Sequence, residues 1–398
     1  MSEEKKSYFV YIGSWEHDRS GKELGIHSFQ FSEMRAELMD SVSPDVCVGA
    51  MYMDRRRNVL YCVDEAESCP GMKDGSGGRV LAYQVDQNTG SLKKISEVPA
   101  YGTRTSFVTT DAAGQYLLVT NHGGKRTVIR SERSENGEYD IRLEYDETNI
   151  VLFALDENGA IGKALDIYRH SGCGTEKPDL QAHPHCVRQS PLGNLFCVCD
   201  KGADALYFYR IDHDKNTLVP CGKSPYQMPA KCAPRYCVFH PEEKFLYMNY
   251  EGQNRISVFH YELDGSIQEI QTIDVLREDM EFSFKGGKRV VQSSDICIHP
   301  NGELLYNITR GLNRIDSYRI NREKGTLTHE QTLDLPVKQG GMDTIRGFAL
   351  SSDAKYLLVG ALTEDRVLVL DVDENGRIGV SDRCEGWDLY HPAALVCY

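Results

Sequence analysis

The chain has 398 residues, 40% of them hydrophobic, which is ample material for a large core. Its 45 Lys and Arg stand against 59 Asp and Glu, a formal net charge of −14. Such a surface repels a polyphosphate on average, so no nucleic-acid partner is expected, although a few converging arginines can still hold a small anion. The start, MSEEKKSYFVYIGS, carries charges of both signs before a short apolar run, and no later stretch is apolar for long enough to cross a bilayer. Thirteen scattered cysteines in a large chain read as reduced thiols. A cytoplasmic protein, away from membranes and either a monomer or a small homo-oligomer, is the expectation.

In chain order, YFVYIGSWE comes first and has the form of a second strand whose first strand is missing. A repeated pattern follows: a short apolar segment, a polar turn, a β-rich run, a small polar cluster, and a second alternating strand. Weaker copies begin near Ala50 (AMYMDRRRNVLYCVDEA) and Ser106 (SFVTTDAAGQYLLVTNHGG). Clear copies are HCVRQSPLGNLFCVCDKGADALYFYRI, YCVFHPEEKFLYMNYEGQNRISVFHY, SDICIHPNGELLYNITRGLNRIDSYRI and GFALSSDAKYLLVGALTEDRVLVLD. Alternation, Val, Ile, Tyr and Phe content, and turns rich in Asp, Asn and Gly mark them as strands. The β-rich runs start at Val59, Tyr116, Leu195, Phe245, Leu304 and Tyr356, spaced 57, 79, 50, 59 and 52 residues apart. The long interval holds a polar insertion, SERSENGEYDIRLEYDETN, expected as a loop or an extra hairpin.

A period near fifty without helical segments predicts propeller blades. The terminal HPAALVCY has the shape of the strand that YFVYIGSWE lacks, so pairing of the two ends supplies a seventh unit and closes the ring. The predicted fold is an all-β, seven-bladed β-propeller, with residues 1–398 as a single domain.

In such a ring the first strands line the channel and the turns after the β-rich runs approach one mouth. Polar residues at matching positions therefore converge. Four stand out: His185 in QAHPHC, Arg235 in APRYC, Glu251 in NYEGQN and Arg310 in NITRGLN. The arginines suit a carboxylate or phosphate and an incipient oxyanion, and His185 or Glu251 could serve as general base.

The stretch QAHPHCVRQSPLGNLFCVCDKGADALYFYRID resembles the H-x-H segment and D-x-G-x-D turn of the propeller lactonase family. PRYCVFHPEEKFLYMNYEGQNRISVF and ITRGLNRIDSYRI are similar to that family's next two blades. This resemblance covers nearly the whole chain and implies a site of one His, two Arg and one Glu, carried here by His185, Arg235, Arg310 and Glu251, with His183 beside them for substrate. It implies a small anionic sugar-lactone substrate and no cofactor. Departures are Tyr236 where a His commonly follows Pro-Arg, a residue between Asn249 and Glu251, Lys201 at a usually apolar position, and GALTED in the last blade.

Other signals have plainer readings. HPH as a metal-binding pair needs a barrel of alternating strands and helices, which is absent. DVDENGRIGVSD, from Asp371 to Asp382, fits a calcium loop but matches the outer-strand hairpin turns VDQNTGSL, IDHDKNTL and INREKGTL. GSGGRV and HGGKR join no strand to a helix and are turns. No G-x-S-x-G elbow supports a serine nucleophile. Cys197 and Cys199 read as core, because no further zinc ligands follow at matching spacing. The expected activity is hydrolysis of a sugar-acid lactone such as 6-phosphogluconolactone. The alternatives are a cycloisomerase forming a lactone from an unsaturated acid, and a propeller that binds a sugar or a protein without catalysis.

Overall fold

The computed structural model describes residues 7–398 apart from 17–23, 33–34, 70, 74, 125–126, 173, 175–180, 277–283, 286–287, 290, 338–343 and 380–385. Seven antiparallel sheets follow one another along the chain, each built outward from an inner strand. Blades 2 to 7 take their inner strands from Val48–Asp54, Thr105–Thr110, Pro184–Gln189, Pro234–Phe239, Gln292–Ile298 and Phe348–Leu350. Blade 1 takes Pro392–Cys397 from the far end of the chain and pairs it with Tyr8–Ser14, in the register Val10 to Cys397 and Ile12 to Leu395. The ring is thus closed by its two ends, and Tyr8–Ser14 is not left as an open edge.

The strands form where alternation and β-branched content predict. The second strands begin at Val59, Tyr116, Phe245, Leu304 and Tyr356, and at Phe196, one residue later than expected, in blade 4. The insertion in blade 3 is a hairpin, Thr127–Arg133 against Tyr139–Tyr145. Among the described residues the one helical turn is Leu362–Glu364, and no helix is long and apolar enough to cross a membrane. The Asp371 loop is a hairpin turn, with Asp373 Oδ1 accepting the Asn375 and Arg377 amides as Asp86, Asp212 and Asn321 do in their blades. Its last residues, 380–382, lie outside the described ones.

Apolar clusters fill the interfaces between blades, for example Leu304, Tyr306 and Ile308 of blade 6 against Leu357, Val359 and Leu370 of blade 7. A recurring polar tie accompanies them. A second-strand tyrosine reaches the next blade's outer turn: Tyr61 donates to Gly159 O at 2.8 Å, Tyr247 to Gly325 O at 3.0 Å and Tyr306 to Gly376 O at 2.6 Å. Each acceptor glycine has positive φ, which turns its carbonyl toward the neighbour.

Two outcomes test this architecture. Tyr306→Phe should cost about 1 kcal/mol of stability, the net worth of one buried hydrogen bond, read by denaturant unfolding. Deleting residues 392–398 should lower the thermal midpoint and give larger species on gel filtration through the exposed Tyr8–Ser14 edge. A truncated chain that melts with the full-length one would show that the end strands do not carry closure.

Candidate active site

Two sets of residues stand at matching positions in successive blades. The first is made by β-bulges near the start of the inner strands. Pairing skips a residue between Val48 and Ala50, Thr105 and Phe107, Pro184 and Cys186, and Pro234 and Tyr236. The skipped residues are Gly49, Ser106, His185 and Arg235, and blade 1 skips Ala393 in the same way. A bulge frees its residue from the alternation of the strand and re-aims the side chain. Blades 1 to 3 thus present small residues there, and blades 4 and 5 present an imidazole and a guanidinium.

The second set is the residue that ends or follows each second strand: Trp15, Glu65, His122, Lys201, Glu251, Arg310 and Ala361. In five blades its amide is tied to the carbonyl just ahead of the inner strand, as Lys201 N is to His183 O and Glu251 N to Ala233 O, both at 3.0 Å. The D-x-G-x-D turn supplies further ties. Asp200 accepts the amides of His183, Gly202 and Ala203 and the Nδ1–H of His170, while Asp204 accepts those of Lys231 and Ala233. Gly202 is required by close approach, since a Cβ there would sit 1.9 Å from Gln181 O.

All five residues predicted from the sequence fall in one network of contacts. Glu251 is the hub: Lys201 Nζ lies 2.8 Å from its Oε1, and Arg235 and Arg310 each place a nitrogen 3.4 Å from its Oε2. Arg235 also donates to His185 Nε2 at 3.1 Å and to Ser294 O at 3.1 Å. Arg310 donates to Gln292 Oε1 at 2.8 Å. His183 stacks on His122, with ring centroids 4.3 Å apart, and donates from Nδ1 to His122 O. His185 meets the same His122 edge to face, at 5.6 Å. Tyr236, at the departure from the family pattern, packs its ring against both His185 and Arg235.

The electrostatics follow from burial. His185, Arg235 and Arg310 are 7%, 2% and 5% exposed. Burial by itself would raise the Glu251 carboxyl, but Lys201, Arg235 and Arg310 outweigh it and hold the group well below the usual carboxylate range. Burial, with Arg235 and Lys201 adding repulsion, depresses His185 well below the usual imidazole value. Because Nε2 accepts from Arg235, the ring proton sits on Nδ1, which is buried and makes no hydrogen bond among the described residues. Burial lowers His122, His183 and Lys201 as well. Three cations thus converge on one carboxylate at the hub.

Sequence reasoning missed Lys201 and His122 as site residues, and also a neighbouring ion pair. Arg346 bonds Glu65 at 2.7 Å and lies 3.7 Å over the Trp15 ring, and its charge bears on His185. The signal was present in the repeat, because each member of the second set directly follows or ends a β-rich run.

The family described as a lactonase, 7-bladed beta-propeller, matches residues 9–383. A 6-phosphogluconolactonase of Bacillus subtilis is 25% identical over 324 residues, covering 80% of each chain. One of Formosa agariphila is 24% identical over 379 residues, covering 93% of this chain and 94% of its own. Among solved structures, the periplasmic gluconolactonase of Pseudomonas aeruginosa superposes with a TM-score of 0.79 at 18% identity, covering 98% of this chain and 99% of its own. At that identity the superposition speaks for the fold alone.

Replacing Lys201 by Met removes one of the three charges that depress Glu251. A depressed carboxyl contributes stability that is complete above its ordinary value of 4.5 and is lost as pH falls through the lower folded value. The variant should therefore begin acid unfolding at higher pH than the parent, followed by circular dichroism. Coincident acid limbs would mean that Lys201 does not hold the carboxylate ionised.

Proposed function

The chain belongs to the seven-bladed propeller lactonase family, and from that premise we propose that it hydrolyses a sugar-acid lactone bearing an anionic group, 6-phosphogluconolactone being the favoured substrate. The observation that carries this reading is the convergence of Lys201, Arg235 and Arg310 on the single carboxylate of Glu251, in a chain whose net charge is −14. A low-dielectric cleft of one sign concentrates ligands of the other sign despite the average field. The names of the Bacillus subtilis and Formosa agariphila relatives support the substrate class.

In this reading Arg235 and Arg310 hold the anionic group and the oxyanion. A water oxygen attacks the lactone carbonyl carbon while Glu251 takes its proton. Collapse of the tetrahedral intermediate breaks the bond to the ring oxygen, which receives a proton and leaves as a hydroxyl on the opened acid. Glu251 is preferred to His185 as base because the available imidazole lone pair is already engaged by Arg235. His185 then keeps that guanidinium in place, and His183 offers its Nε2 face to substrate.

Purified protein should hydrolyse 6-phosphogluconolactone well above the spontaneous rate. Arg310→Ala should lose on the order of 10²-fold, as for electrostatic stabilisers generally. Glu251→Gln should abolish the enzymatic excess, and His185→Gln should lose less. No turnover above background removes the favoured substrate and turns the search to other lactones and to unsaturated di- and tricarboxylic acids. Turnover retained by Glu251→Gln removes the carboxylate as base.

A further inference from the structure

Four cysteines far apart in sequence meet at the interface of blades 4 and 5. Cys186, on the inner strand of blade 4, stands directly across the ladder from Cys199. Cys197 lies two residues before Cys199 and so faces the same way. Cys237 reaches them from the inner strand of blade 5. Each is 0% exposed and none is in a disulfide. The Sγ atoms of Cys197, Cys199 and Cys237 all lie within 4.8 Å of one another, and Cys186 joins them from the strand paired with Cys199. Cys197 and Cys199 lie in the core as expected, but the fold sets two further cysteines beside them from neighbouring strands.

We propose that Cys186, Cys197, Cys199 and Cys237 form a closed tetrathiolate site for a thiophilic divalent cation, with zinc the ion that such a ligand set suits best. Aliphatic side chains would fill this interface without any polar atom, whereas three sulfurs within 4.8 Å of one another, with a fourth cysteine on the paired strand, leave only weak S–H donors to satisfy weak acceptors.

A second observation concerns charge. Arg188 shares the strand face of Cys186, and its positive charge bears on Cys186 and Cys237. It lies 4.7 Å over the Phe107 ring, and its Nε is buried without a hydrogen-bond partner among the described residues. A guanidinium held there favours thiolate over thiol. Binding involves no oxidation: the ion takes four sulfur ligands, their remaining protons pass to solvent, and the complex keeps two negative charges beside Arg188.

All four positions are filled by protein, so the site would organise structure without performing catalysis. Cys186 adjoins His185 and Cys237 lies two residues beyond Arg235, so the ion would clamp together the two strands that present these side chains.

The test uses the whole chain. Protein grown with added zinc should hold one zinc per chain after gel filtration, measured by elemental analysis. Chain unfolded with a chelator and refolded with Cd(II) should gain the ultraviolet charge-transfer absorption of cadmium thiolate. Cys197→Ser/Cys237→Ser should lose both, while Cys62→Ser, at a buried cysteine of blade 2, should keep both. If the native chain retains no zinc and its refolded form shows no cadmium–thiolate band, the proposal is overturned, whatever the double variant does. Metal and band retained by a folded double variant would also overturn it.

Discussion

The candidate site depends on one backbone irregularity repeated in blades 1 to 5, the bulge near the start of the inner strand. An unbroken strand sends alternate side chains to opposite faces, and in a propeller both faces of a blade are packed against neighbours. A residue on such a strand would be buried between blades. The extra residue in the ladder breaks that constraint, so His185 and Arg235 turn toward the channel while Cys186 and Cys237, further along the same strands, return to the inter-blade core. The amide ties from Lys201 and Glu251 back to His183 O and Ala233 O hold the second set of side chains level with the first.

Much of this was legible in the sequence because the blade is a local unit. Alternation and turn chemistry predict the strands, and the resemblance of HPAALVCY to the other inner strands predicts closure across almost 400 residues, realised in the Val10 to Cys397 register. The site was partly legible for the same reason: matching positions in a repeat converge, which singled out His185, Arg235, Glu251 and Arg310. Lys201 and His122 occupy matching positions too, but a lysine after Asp200 or a histidine after Asn121 looks like an ordinary solvated turn. Only the closeness of Lys201 Nζ to Glu251 gives it a role. The Glu65–Arg346 pair joins residues 281 positions apart, and nothing local in either blade announces it.

The cysteines mark the limit of reading by spacing. Metal-ligand motifs are recognisable when a loop brings the ligands together, because spacing then reflects loop geometry. Here the ligands would come from a cross-strand pair, a strand neighbour two residues away and the next blade. Their separations of 11, 2 and 38 residues therefore reflect the propeller period and not a metal loop. The same holds for Asp200 and Asp204, which sit in a recognisable motif yet act by accepting backbone amides that fix where Lys201 and Arg235 begin.

The charge balance at Glu251 links binding to reactivity in the proposed reaction. A carboxylate held by Lys201, Arg235 and Arg310 has little affinity for a proton. In the free protein that keeps a buried charge compensated, which an unpaired carboxylate there would not be. A phosphate or carboxylate entering the site competes for the same cations and brings negative charge close to Glu251. Both effects raise its proton affinity at the moment a water molecule must be activated. The four side chains can thus serve as an anion site when empty of substrate and as a base with its electrostatic partners when occupied. The arginines need not leave the site for that change, since His185, Ser294 O and Gln292 hold their other donors.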